Sequence, residues 1–205
     1  GRSQGGLDGE YGQSNCNEGF PCQWQNPAPG GAGPAGGVNG GAGGMNSNYS
    51  NANPQAGSAG GAGGGGSKDN GPGAKGGDGR VNINWGHYSV YNASTTWTAP
   101  PGVTSVIVEA WGAGGGGGGY KDWTNGGGGG GGGAYSKSIV SVVLGQTYAV
   151  NVGVGGSAGL GFDQTNQSDG GNGGDSWFIN STTILAKGGT GGKQGIEGND
   201  PPGGT

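Results

Sequence analysis

Several things are scarce in this 205-residue chain, and each scarcity closes a class of function. There is one histidine, His87, flanked by Gly86 and Tyr88 in a strand-like stretch with no cysteine or aspartate beside it. General acid–base and nucleophilic sites need a base with an orienting partner, so no catalytic constellation is expected. Lys and Arg number 8 against 12 Asp and Glu, a formal net charge of −4, and no basic patch forms. Nucleic acid is therefore not an expected partner. No run of about 18 apolar residues occurs, so no membrane-spanning helix is expected. Leu, Ile, Val and Phe together number 25. A chain that poor in large apolar groups cannot build a core along its whole length.

Two cysteines occur, Cys16 and Cys22, in CNEGFPC. The spacing is not that of a paired metal site. A small disulfide loop in an oxidising compartment is expected, with two free thiols as the alternative. Closing so short a loop contributes roughly 2–3 kcal/mol by the chain-entropy model. Tyr11, Phe20 and Trp24 lie around it and would dock it.

What the chain has is glycine: 62 Gly and 10 Pro. The apolar residues are unevenly placed, with 21 of the 25 between Val81 and Leu185. The expected organisation is an irregular segment over 1–26, a glycine-rich segment over 27–80, and one β domain with glycine-rich loops and tail over 81–205. Glycine recurs every third residue at Gly30, Gly33 and Gly36, and at Gly57, Gly60, Gly63 and Gly66. That period fits a left-handed polyproline-II-like helix, which has no internal hydrogen bonds. The triplets stop too soon, and proline is too sparse, for collagen. Short polyglycine-II helices packed side by side and bonded laterally are the structural expectation. A flexible linker is the alternative.

About seven short strands are expected and no α-helix. RVNINWGHYSVY, residues 80–91, reads as a strand pair or one strand bulged at Gly86. Further strands are expected over Thr96–Thr98, Val103–Trp111, Ala134–Val143 and Thr147–Val154, and as a hairpin around Asn180-Ser181. Trp85, Trp97, Trp111 and Trp177 are candidates for core or subunit contacts.

Motif matches are weak against so much glycine. The Walker pattern fails at Gly192-Lys193, because Lys187 stands where it needs Gly. GGNGGDSWF and GAKGGDGRV approach the nonapeptide calcium pattern, with Asp175 and Asp78 as ligand candidates. Those sites need stacked consecutive copies, which are absent, so neither a metal nor any other cofactor is expected. Asn48, Asn92, Asn166 and Asn180 head N-x-[ST] sequons at about the number chance allows. Two polar islands interrupt the glycine: Tyr120, Lys121, Asp122 and Trp123 onward to Asn125, and Asp163, Gln164, Asn166 and Asp169. Both are candidate recognition loops, with plain solvated turns as the other reading.

WTAPPGVTSVIVEAWGAGGGGGG, GGGGGGAYSKSIVSVVLGQTYAVNVGVGG and GGNGGDSWF…ILAKGGTGG resemble the glycine-rich domain proteins of bacteria and phages. These occur in phage tail-fibre tips and in secreted or surface proteins. The resemblance covers about residues 96–192. It implies a small β-sandwich, jelly-roll-like, whose inter-strand loops extend into packed polyglycine-II helices. It carries no catalytic residues. Members end in a glycine-rich stretch and final strand similar to GPGAKGGDGRVNINW, which here precedes the domain, at 71–85. Either the unit is permuted, or neighbouring subunits share strands head to tail. The expected function is an extracellular structural protein forming a filament or surface fibre. The alternatives are a tail-fibre tip or adhesin binding a cell-surface receptor or glycan, and an ice-binding bundle.

Overall fold

The computed structural model describes residues 2–4, 31, 46–47, 50–51, 54–67, 71–120, 126–161, 168–195 and 202–205. Among them there is no helix; two antiparallel sheets face each other and run on into a bundle of glycine-rich segments. The strands are β1 (Arg2–Gln4), β2 (Asn46–Ser47), β3 (Ser50–Asn51), β4 (Arg80–Asn84), β5 (Tyr88–Tyr91), β6 (Thr95–Thr98), β7 (Ser105–Trp111), β8 (Tyr135–Ser141), β9 (Thr147–Asn151), β10 (Ser176–Phe178) and β11 (Ile184–Ala186). One sheet has the order β1-β8-β7-β4-β5 and the other β11-β10-β9-β6. β2 and β3 form a separate two-stranded ladder.

Period-two alternation explains the sandwich. On β7, Val106, Val108 and Ala110 point into the core while Ser105 and Ile107 face out. On β4, Val81 and Ile83 are fully buried. The second sheet supplies Trp97, Tyr148, Val150, Phe178, Ile184 and Ala186 to the same cluster. Each large apolar side chain taken out of water there contributes about 1.5–3 kcal/mol.

The stretch 80–91 is a hairpin, not a bulged strand. β4 and β5 pair antiparallel from Val81↔Tyr91 to Asn84↔Tyr88, and Gly86 takes φ +95° in the turn between them. That conformation is open to glycine and costly for most side chains. The shift of apolar phase after Gly86 is the chain reversing direction. β4 also pairs with β7 along its whole length, from Arg80↔Trp111 to Asn84↔Ile107. The strand that the sequence offers to a neighbour is therefore taken up by its own chain, as in a permuted single unit. β1 closes part of the opposite edge, pairing Arg2, Ser3 and Gln4 with Lys137, Ser136 and Tyr135.

Of the four tryptophans expected to make core or subunit contacts, Trp97 lies in the core and Trp85 packs against it half-buried. Trp111 is buried on the outer face of the first sheet, 5.0 Å from the Tyr135 ring. Trp177 alternates outward between buried Ser176 and Phe178.

Candidate functional site

Seven glycine-rich segments of the described chain, numbered here in chain order, form a bundle: I (62–67), II (71–79), III (112–120), IV (126–134), V (152–161), VI (168–175) and VII (187–195). Six of them continue a strand directly: II enters β4, III leaves β7, IV enters β8, V leaves β9, VI enters β10 and VII leaves β11. Their hydrogen bonds are lateral and repeat every third residue, as expected of polyglycine-II helices.

Segment III is the axis. All eight N–H groups from Gly112 to Gly119 donate to neighbouring backbone carbonyls at 2.8–3.1 Å. Gly112, Gly115 and Gly118 reach Ala134, Gly131 and Gly128 of IV. Ala113, Gly116 and Gly119 reach Gly174, Gly171 and Ser168 of VI. Gly114 and Gly117 reach Gly77 and Ala74 of II. The three neighbours that III donates to run antiparallel to it. Its carbonyls accept from three parallel neighbours: Gly64 and Ser67 of I, Gly156 and Gly159 of V, and Gly189, Gly192 and Gly195 of VII. Further bonds link IV to I, I to II, II to V, V to VI, VI to VII and VII to IV. The result is a closed ring of six around one, a hexagonal lattice. At about 3.1 Å per residue the eight donors span roughly 25 Å.

This lattice explains where side chains occur. Segments I, III and IV, enclosed by neighbours, carry almost nothing but glycine. The outer segments carry one exposed row each, at every third position: Pro72 and Lys75 on II, Val154, Ser157 and Leu160 on V, Asp169 and Asn172 on VI, Lys187, Thr190 and Lys193 on VII.

Between VI and VII these rows form a ladder. The outward N–H groups of Gly188, Gly191 and Gln194 donate to the side-chain oxygens of Asp175, Asn172 and Asp169 at 2.9–3.0 Å. Lys187 Nζ reaches Asp175 Oδ2 at 2.8 Å and Lys193 Nζ reaches Asp169 Oδ2 at 2.7 Å. Asp78 acts alike on the other flank, accepting from Gly155 N–H at 2.8 Å and from Lys75 at 3.1 Å. The two aspartates singled out for calcium are thus each engaged by a lysine and a backbone N–H. Among the described residues no three His, Cys, Asp or Glu side chains come together as a metal site.

Partial burial pushes the Asp169 and Asp175 carboxyls up, but the lysine and backbone hydrogen bonds outweigh it and hold both below the ordinary range. For Asp78 the Gly155 N–H is the largest influence and also lowers it. Groups depressed in the folded state stabilise it fully above the unfolded pKa near 4 and lose that contribution as pH falls through the folded values. Melting temperature should therefore fall on acidification below about pH 4, and D169N/D175N should flatten that fall. The pairs are exposed and screened by water, so the difference is small, roughly 1–2 °C. Thermal melts across pH 2–7 measure it.

The sequence-stretch candidates divide on this geometry. Tyr120 is not a loop residue; it ends segment III with 3% of its surface exposed. Asp169 belongs to the ladder. Cys16, Cys22, Lys121, Asp122, Trp123, Asp163, Gln164 and Asn166 lie outside the described residues. Asn172 and Thr190 were missed, although the three-residue spacing of Asp169, Asn172 and Asp175 and of Lys187, Thr190 and Lys193 carries the signal.

The bundle ends are ordered. The sandwich adjoins one end. At the other, Ser67 N–H bonds Gly118 O, Gly127 N–H bonds Ser67 O, Gly119 N–H bonds Ser168 O, and Gly195 N–H bonds Gly119 O. The described segment ends at 67, 71, 120, 126, 161, 168, 195 and 202 all lie at this distal face.

The outer face of the first sheet holds a second polar group. Glu109 accepts from Tyr135 OH at 2.6 Å and from Lys137 Nζ at 3.1 Å. Burial pushes Glu109 up, and these two bonds more than reverse it. Burial first and Glu109 second push Tyr135 up. These are cross-strand neighbours on β7 and β8, and the pattern is that of a sheet-stabilising cluster. His87 is exposed in the β4–β5 turn, 6.2 Å from the Trp85 ring.

The geometry defines the class: an all-β sandwich whose strands continue into a hexagonal polyglycine bundle. Residues 89–205 match the glycine-rich domain family, and the chain belongs to it. No curated protein and no solved structure matches the chain. No helix among the described residues is long and apolar enough to cross a membrane.

Proposed function

We propose that this chain is a non-enzymatic protein of an extracellular, cell-surface or virion-tail setting, whose polyglycine bundle presents its distal connections to a cell-surface receptor or glycan. The observation that carries the reading is the convergence at the distal face of segment ends far apart in sequence. Recognition residues sit disproportionately on loops held by a rigid scaffold. The connections contrast with the glycine around them: 121–125 reads Lys-Asp-Trp-Thr-Asn and 163–167 reads Asp-Gln-Thr-Asn-Gln. The single histidine is at the sandwich end, away from this face.

Replacing 121–125 and 162–167 with glycine–serine connections of equal length should reduce binding to a glycan array or to target cells at least tenfold. The melting temperature should stay within about 2 °C. Binding that survives both replacements would refute the reading.

Self-assembly into a fibre by strand sharing is the second reading. One observation favours it: among the described residues β1 pairs with Tyr135–Lys137 of β8 and no strand pairs with the same edge over Ser138–Ser141, where Ile139 is 74% exposed. Negative-stain microscopy of concentrated protein checks it.

A further inference from the structure

A cleft of about 600 Å³ opens on the flank of the bundle, between VI, VII and residues 202–203. That volume is usual for a small-ligand site. Residues 202–205 lie along VII, with Pro202 O accepting from Lys193 N–H and Gly204 N–H donating to Gly129 O of IV. Asp169 and Asn172 line the cleft from VI, Thr190 and Lys193 from VII, and Pro202 adds its ring. Between these side chains the lining is bare backbone, at Gly170 and Gly191. Neither glycine can take a side chain. A Cβ on Gly191 would sit 1.8 Å from Gly170 O, and one on Gly170 would sit 2.0 Å from Gly116 O. The lattice that demands these glycines thus also sets the shape of the cleft.

The polar groups of the cleft are oriented in advance. Asn172 Oδ1 accepts from Gly191 N–H at 2.9 Å, which fixes the amide one way round. Both Nδ2 hydrogens are then left without a partner among the described residues. Asp169 is held at both oxygens, Oδ1 by Gln194 N–H at 2.9 Å and Oδ2 by Lys193 Nζ at 2.7 Å. A carboxylate has about four lone-pair sites, so Asp169 keeps acceptor capacity. Lys193 gives one of its three N–H donors to that bond and keeps the others. Groups fixed before a ligand arrives lower the ordering cost of binding.

Charge balance selects the class of ligand. The carboxylate and the ammonium cancel, so an anion meets no net positive charge and a cation no net negative charge. An apolar ligand would find one apolar ring, Pro202, and would take water from four polar side chains without replacing it. The groups present alternate acceptor and donor, and hydroxyls answer both because each donates and accepts. Asp169 and Asn172, like Lys193 and Thr190, are three residues apart, roughly 9 Å along a polyglycine-II segment. That spacing suits two linked sugar rings. We infer that the cleft is a binding site for a neutral saccharide of about two rings. It lies on the flank of the bundle and holds whether or not the distal connections bind a receptor.

The test titrates the full chain, nitrogen-15 labelled, with maltose, cellobiose and lactose, and in parallel with glucose 6-phosphate. At least one disaccharide should shift the Asn172 side-chain amide and the Gly191 and Gln194 N–H signals saturably, with a Kd of about 1 mM or tighter. Glucose 6-phosphate should bind at least tenfold more weakly. N172D keeps an acceptor for Gly191 N–H and removes the two donors. It should weaken disaccharide binding at least tenfold while the melting temperature stays within about 2 °C. K75A, on segment II across the bundle, should leave the titration unchanged. The replaced distal connections leave all four polar side chains of the cleft in place, so that protein should still bind the disaccharide. No shift with any of the three disaccharides, shifts that N172D leaves intact, or equal affinity for glucose 6-phosphate would each overturn the proposal.

Discussion

Gly115→Ala, a change of one methyl group, is expected to leave no folded bundle. At an ordinary glycine, alanine stabilises by about 0.4–1 kcal/mol through the unfolded chain. Here the lattice reverses the sign. A Cβ on Gly115 would sit 2.0 Å from the carbonyl oxygen of Thr190, with no flexible side chain to yield. That oxygen is itself fixed, because it accepts from Gly131 N–H at 2.9 Å. Gly115 also donates to Gly131 and accepts from Gly64, so segment III cannot retreat without opening two other contacts. Its neighbours along III are equally confined, at 1.9 Å for Gly112 and 2.0 Å for Gly118 against carbonyls of VII. Overpacking in a core usually costs about 1–3 kcal/mol because side chains adjust. A backbone-on-backbone clash has no such route, and a loss of about 5 kcal/mol or more is expected, comparable with the whole stability of a small domain. Ser157→Ala on the exposed row of V is the control, expected within about 0.5 kcal/mol. Thermal melting by circular dichroism decides it; a G115A protein melting within a few degrees of wild type would contradict the lattice.

The sequence makes the sandwich and the glycine-rich character readable for different reasons. Val106, Val108 and Ala110 alternate with outward residues, and local alternation alone gives β7. The runs of III and IV are legible as packing elements because nothing but close backbone approach needs so many bare positions. Segments V and VI are not legible in that way. VGVGGSAGLG begins with valines in strand phase, so it reads as the end of β9. SDGGNGGD reads as a loop or a metal motif. Both are polyglycine segments whose third row faces water and therefore carries side chains. Tyr120 reads as part of a polar island because its sequence neighbours are polar, yet it closes segment III. The hexagonal order itself lies beyond local reading. Gly116 bonds Gly171, and Gly114 bonds Gly77, across separations that no short-range pattern encodes. The position of GPGAKGGDGRVNINW ahead of the domain suggests sharing between chains, and only the pairing of β4 with β7 places it in its own sheet.

Phe178→Ala is the second large effect, and it tests whether sandwich and bundle are one cooperative unit. Phe178 is fully buried, with its ring 5.9 Å from Trp97 and 5.8 Å from Tyr148. Trp97 and Tyr148 also stack at 6.2 Å, so the three rings form one cluster in a core with few large side chains. Truncating a buried phenylalanine costs about 3–5 kcal/mol. Loss of the ring pairs places this site at the upper end. Trp177→Ala, one residue earlier and facing outward, should cost only about 1 kcal/mol. Segment VI enters β10 directly, and five other segments are joined to strands in the same way. A loosened sandwich therefore withdraws the anchors that keep the lattice in register. Among the described residues the bundle has one large buried side chain of its own, Tyr120 at the end of segment III, and its lateral hydrogen bonds contribute only about 0.5–1.5 kcal/mol each. Ordering glycine costs about 1–2 kcal/mol per residue, so the lattice has little surplus with which to stand alone. Tryptophan fluorescence, reporting the sandwich, and amide hydrogen exchange of segments III and IV should then lose protection in one transition, lowered together in F178A. A bundle that keeps its exchange protection after the fluorescence transition would separate the two units and refute the coupling.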